Sequence, residues 1–182
     1  MLLFFQLRRD LHWQAAHGYQ HRIDANTYQW LTDHRSLTKK LIKKSDGKFR
    51  VTLIQQRIQA IRLSERRALK LPSRQWAVVR EVVLCGADTA WVYARTVIPL
   101  NTLRGPLRRL HYLGNKPLGG QLFANPTMRR GPVSITHFKP RDLPHSLHGQ
   151  EGACWGRRSV FTLSKKSLLV AEVLLPALLS SP

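Results

Sequence analysis

Arg80 and Glu172 are the two residues of this sequence whose type clashes most with their surroundings. Arg80 interrupts the Val-rich run RQWAVVREVVLC, residues 74–85. If that run is a strand, successive side chains point to opposite faces. Trp76, Val78, Arg80, Val82 and Leu84 then share one face, with Arg80 as its only charge, and Glu81 lies on the other. Glu172 interrupts LLVAEVLLP, residues 168–176, and is the only acid between Gly152 and the C-terminus. Both faces of that run are apolar, so Glu172 is buried whichever way the strand turns. A buried lone charge is costly unless it is paired or hydrogen-bonded. Three arrangements satisfy this: a structural Arg80–Glu172 ion pair, a wet site near a sheet edge, or a polar pocket lined by both. In the pocket, Arg80 would grip a ligand carboxylate through two parallel N–H···O bonds. Glu172 in apolar surroundings would favour its protonated form and meet a hydroxyl or exchange a proton.

Other reactive side chains offer less. His137, His145 and His148 invite a metal, but Pro144 disrupts helical presentation and no closed ligand set accompanies them, so no metal is expected. Cys85 and Cys154 form no CxxC pair and read as buried free thiols, with Cys85 in a strand and without a base partner. Arg157–Arg158 fits either a second anion contact or a solvated pair at a strand start. Gly114, Gly119 and Gly120 lack the GK[ST] of a phosphate loop.

These residues need a scaffold, and the pattern supplies one. Residues 24–44 read as helical, with Ser36 able to cap a second helix through its hydroxyl. Residues 48–58 alternate as a strand, and 74–85 and 90–99 form a hairpin about the Gly86–Asp88 turn. Residues 101–124 hold two helices separated by Gly114 and Pro117. Residues 125–154, rich in Gly, Pro and His, are the most irregular stretch. Residues 157–163 and 168–176 are strands joined by a polar turn at 164–167. Hairpin-linked strands with helices in separate blocks indicate an α+β fold, an antiparallel sheet with helices packed against it.

At 182 residues and 43% hydrophobic content, the chain reads as a single domain spanning 1–182. It lacks an apolar run long enough to span a membrane. Met1–Phe5 lacks a basic n-region and ends at Arg8-Arg9-Asp10, so it reads as a short buried segment rather than a signal peptide, and the cytoplasm is the expected compartment. Thirty Lys and Arg against ten Asp and Glu give a formal charge of +20. Such a balance points to an anionic partner: nucleic acid, a membrane surface or a small acidic substrate. The basic residues are scattered in pairs, without a long block or a nucleic-acid-binding motif, so no specific nucleic acid is expected.

Five ordered segments resemble the chorismate pyruvate-lyase family: W-x₃-REVVLC (Trp76–Cys85), RTVIPLNTLRGP (Arg95–Pro106), LGNKPLGGQLF (Leu113–Phe123), WGRRS (Trp155–Ser159) and AEVLLPAL (Ala171–Leu178). With RSLTKKL they cover roughly residues 30–179. The resemblance implies a six-stranded antiparallel sheet carrying helices. It also implies conversion of chorismate to 4-hydroxybenzoate and pyruvate, the entry to ubiquinone synthesis, without cofactor or metal; the chain is expected to act as a monomer. By the same resemblance Arg80 binds the ring carboxylate, Leu118 joins that clamp through its backbone, and Glu172 meets the para-hydroxyl. Leu37 stands where the family often has methionine; a backbone contact survives this change and a thioether contact does not. Gly120 replaces a usually larger residue and loosens the flap. The C4 hydrogen passes either within the substrate or with help from a base. The alternative is a non-catalytic effector-binding domain of the same fold, as in some transcription regulators. The segment ahead of the matching region is too short for their DNA-binding winged helix.

Overall fold

A computed structural model describes residues 11–180; the expectation for Met1–Phe5 lies outside them. The chain enters through a two-residue strand β1 (Gln14–Ala15) and the helices α1 (Ala25–Thr32) and α2 (Leu37–Lys44). The helical stretch expected over 24–44 is therefore two helices. Each begins at a side-chain cap: Asp24 accepts from the Thr27 N–H at 2.8 Å and Ser36 from that of Lys39 at 3.4 Å. Between them Asp33 accepts from both the backbone and the guanidinium of Arg35, and Lys40 Nζ lies 3.7 Å away.

Arg35 and Lys40 hold the Asp33 carboxyl well below the usual carboxylate range, with hydrogen bonds from Arg35 the largest cause. The folded value is depressed, so the stabilisation is present above the unfolded pKa, about 3.9, and is lost as pH falls through the folded value. Urea titrations from pH 5 to pH 2.5 should show wild-type stability falling towards that of Asp33→Asn. A gap between the two that stays constant over this range would contradict the coupling.

Strand β2 (Phe49–Ala60) precedes a short helix α3 (Leu63–Ala68), which sequence patterning did not anticipate. Strands β3 (Trp76–Gly86) and β4 (Thr89–Pro99) form the expected hairpin, with Ala87 in the left-handed region at φ 52°. A 3₁₀ helix (Gly105–Tyr112) and α4 (Leu118–Phe123) follow. The irregular stretch over 125–154 contains β5 (Arg129–Arg130) and a strand that was not anticipated, β6 (Ser134–Phe138). Strands β7 (Cys154–Leu163) and β8 (Lys166–Leu174) and helix α5 (Pro176–Ser180) complete the described chain.

All strands among the described residues join one antiparallel sheet in the order β1-β6-β7-β8-β4-β3-β2, with β5 paired to β7. Setting aside the two-residue β1 and β5, six strands remain, as the resemblance implied. The α1–α2 pair packs on one part of a sheet face with Val82, Leu84, Val92 and Leu174. The 3₁₀ helix and α4 pack on another part with Val78, Ile98, Leu168 and Val170. The polar positions of that face fall between these two apolar patches.

Candidate active site

The strand register sets out this polar floor. Arg80 pairs with Thr96, Thr96 with Val170, and Val170 with Ser159. In the adjoining row Val82 pairs with Ala94, Ala94 with Glu172, and Glu172 with Arg157. In antiparallel sheets directly opposed residues project to the same side, so Arg80, Thr96, Glu172 and Arg157 share the face beneath the helices. A cavity lies over this floor, lined by Leu37, Arg80, Leu118 and Glu172, with Ser36, Thr38, Thr96 and Phe161 among its other walls. The structure thus brings together all four residues singled out from the sequence.

Arg80 is only 2% exposed and has no carboxylate partner among the described residues. Burial pushes its pKa below the ordinary arginine value. Nη2 donates to the carbonyls of Gly114 and Lys116 at 2.8 and 2.9 Å, tying the sheet to the segment before α4. Nε is buried without an acceptor, and Nη1 makes no hydrogen bond among the described residues. The other buried side-chain atom without a partner among them is Oε1 of Gln56, the residue opposite Arg80 on β2. A buried Nε–H directed into a cavity is able to donate to a ligand carboxylate.

The direct Arg80–Glu172 ion pair, one of the three arrangements considered, does not form. Glu172 Oε2 instead accepts from Arg157 Nε at 2.8 Å, so its surroundings are not purely apolar. Arg157 is 2% exposed, and its Nη1 donates to the carbonyls of Trp30, Leu31 and Asp33. This corrects both readings of Arg157: it is neither a solvated residue nor a free anion contact. Strand β7 starts three residues earlier than expected, which puts Arg157 well inside the sheet. Glu172 Oε1 has no donor among the described residues, while the side chain is 20% exposed.

Leu37 and Leu118 are the first residues of α2 and α4, so their N–H groups have no intrahelical acceptor. The seam between these helices is tight. A Cβ on Gly119 would stand 2.6 Å from Thr38 Oγ1, whereas one on Gly120 would meet open space. The space that a larger residue would occupy at 120 is therefore present.

The opposite sheet face holds a second cavity, walled by Trp13, Tyr93 and Phe138. Two of its lining charges, Glu65 and Arg95, are committed to each other. Arg95 bonds Glu65 at 2.6 Å and Glu81 at 2.8 Å, and Tyr93 and Gln55 also donate to Glu81. Burial opposes the charged form of Arg95, but the two carboxylates outweigh it and raise its pKa. Cys85 and Cys154 are buried free thiols. No group of three or more metal-ligating side chains occurs among the described residues.

The sequence model of a family described as Chorismate lyase matches residues 7–181. A protein of Marinobacter nauticus named probable chorismate pyruvate-lyase is 40% identical over 168 residues, covering 92% of this chain and 86% of that one. A Methylococcus capsulatus protein of the same name is 40% identical over 158 residues, covering 84% and 96%. Among solved structures, the effector domain of PhnF from Mycobacterium smegmatis superposes with a TM-score of 0.57 at 12% identity, covering 79% of this chain and 90% of that one. A GntR-family regulator of Bacillus cereus gives 0.55 at 10% identity, with 71% and 93% covered. These two share the fold alone. The sequence matches span most of the chain at an identity the regulators do not approach, and by them this chain belongs to the chorismate lyase family.

Proposed function

We propose that this chain is a chorismate pyruvate-lyase, converting chorismate to 4-hydroxybenzoate and pyruvate in the cavity over Arg80 and Glu172. The observation that carries the reading is Arg80: a 2%-exposed guanidinium with no countercharge among the described residues, facing a cavity that also holds Glu172. Arg80 anchors the ring carboxylate, joined by the N–H groups of Leu37 and Leu118. Glu172, oriented by Arg157, accepts from the hydroxyl at the far end of the ring. The C3–O bond of the enolpyruvyl ether breaks, C4 loses hydrogen, and the enolpyruvyl methylene gains one to become the methyl of pyruvate. Aromatisation drives the step. The protein's share is to hold the substrate in a reactive conformation and to keep water out.

No cofactor or metal enters this scheme. The protein acts as a monomer of one domain in the cytoplasm, without a specific nucleic-acid partner. A single continuous sheet supports the one-domain reading, and no described helix is long and apolar enough to cross a membrane. Incubation of the purified protein with chorismate should yield 4-hydroxybenzoate and pyruvate in equal amounts, with or without EDTA. Activity lost on chelation and restored by a divalent ion would refute the cofactor-free scheme. Failure to consume chorismate would refute the lyase reading and favour an effector-binding role.

A further inference from the structure

Chorismate carries a second carboxylate on its enolpyruvyl ether at C3, next to the C4 hydroxyl. If Glu172 meets that hydroxyl, the second carboxylate lies towards Glu172 and away from Arg80. The cations on that side are Arg157, Lys40 and Arg130. Arg157 is committed to Glu172 and to three carbonyls. Lys40 lies over the Trp30 ring at 3.4 Å and beside Asp33. Arg130 differs from both. Its Nε donates to Ser159 Oγ at 3.1 Å and its Nη1 to the Asp33 carbonyl at 3.2 Å. Of the three it alone forms no ion pair among the described residues, and its Nη2 makes no hydrogen bond among them.

Arg130 stands beside the cavity rather than in its lining. Ser159 ends the row that begins at Arg80, and the Arg130 guanidinium lies 5.4 Å from the centre of the Phe161 ring, which is a cavity wall. Through the Asp33 carbonyl it also holds the loop leading to Ser36, Leu37 and Thr38, three further cavity-lining residues. Arg130 and Arg157 both donate to that one oxygen, which crowds two cations together. Burial and the repulsion from Arg157 push the Arg130 pKa down to about 10, with Glu172 and Asp33 offsetting part of this. An additional anion at this point would relieve the crowding.

We propose that Arg130 is a specificity-determining residue that binds the enolpyruvyl carboxylate of chorismate, so that Arg80 and Arg130 hold the two carboxylates of one dianionic substrate. The inference rests on the lyase reading. It separates substrate from product, because 4-hydroxybenzoate has lost the group that Arg130 holds.

The test is to measure chorismate kinetics, 4-hydroxybenzoate affinity and thermal melting on wild type, Arg130→Gln and Arg130→Lys. A charge-assisted bond of ordinary strength predicts a KM for chorismate raised at least about tenfold in Arg130→Gln, with 4-hydroxybenzoate affinity within about twofold of wild type. Arg130→Lys keeps the charge and loses the fork, so its KM should fall between the two with product affinity again unchanged. If the Gln variant does not fold, the Lys variant alone must show this split. An unchanged KM would overturn the proposal. So would a parallel loss of chorismate and 4-hydroxybenzoate affinity, which would mean that Arg130 acts only by closing the loop at Asp33. Wild-type protein that leaves chorismate intact would overturn the lyase reading itself.

Discussion

Arg80→Lys is expected to lower kcat/KM for chorismate at least about tenfold, equivalent to about 1.4 kcal/mol of transition-state stabilisation. Arg80 uses its planar fork in two directions at once. Nη2 holds the carbonyls of Gly114 and Lys116, while the buried Nε remains for the substrate carboxylate. A lysine ammonium is a point charge on a flexible stem and cannot keep that geometry. It must either hold the two carbonyls and release the carboxylate, or turn to the carboxylate and free the segment before α4. Both outcomes weaken 4-hydroxybenzoate binding along with turnover. Steady-state kinetics and a product titration on Arg80→Lys check this, and wild-type values in both would show that Arg80 does not touch the substrate.

The Glu172–Arg157 pair supports a second large effect that divides between stability and turnover. Arg157→Met leaves the Glu172 oxygen and the carbonyls of Trp30 and Leu31 without this donor, and the Asp33 carbonyl with Arg130 alone. Breaking a buried pair from one side costs about 3–5 kcal/mol; with Glu172 20% exposed the lower end, about 3 kcal/mol, applies, which in a domain of this size lowers Tm by roughly 10 °C. Glu172→Gln is milder for the fold, because an amide oxygen can still accept from Arg157 Nε. Its cost falls on the ligand: the carboxylate that meets the hydroxyl is replaced by a neutral amide. Arg157→Met should therefore be chiefly a melting defect, and Glu172→Gln chiefly a defect in turnover or product binding. Melting curves and chorismate kinetics on the same preparations separate the two. A Gln variant that melts as low as Arg157→Met while its folded fraction turns over normally would make Glu172 a structural residue.

That Arg80 and Glu172 each interrupt an apolar strand was legible because strand alternation is local. It needs only the identity of neighbours two residues away. The cap at Ser36 and the β3–β4 hairpin were legible for the same reason. What escaped depends on register and on contacts distant in sequence. A bulge between Leu84 and Cys85 shifts the hairpin by one residue, which sets Arg95 opposite Glu81 rather than opposite Arg80. That shift creates the buried network with Glu65 on the far face and leaves Arg80 without a charged neighbour. Arg157 reaches Glu172 only through the pairing of β7 with β8, and its carbonyl acceptors lie more than a hundred residues away. Strand β6 sits in a stretch broken by Gly and Pro, where local propensity is weak and pairing with β7 decides the outcome. Arg130 belongs to a two-residue strand too short to leave a periodic trace.

The central claim is that one small ligand spans the cavity from Arg80 to Glu172. A crystal structure of the protein with 4-hydroxybenzoate tests it most directly. The account predicts the ring carboxylate within hydrogen-bonding distance of Arg80 Nε and of the Leu37 and Leu118 N–H groups, with the para-hydroxyl on Glu172. Product bound in the reverse orientation, or seated on the opposite sheet face among Trp13, Tyr93 and Phe138 with the Arg80 cavity empty, would contradict it.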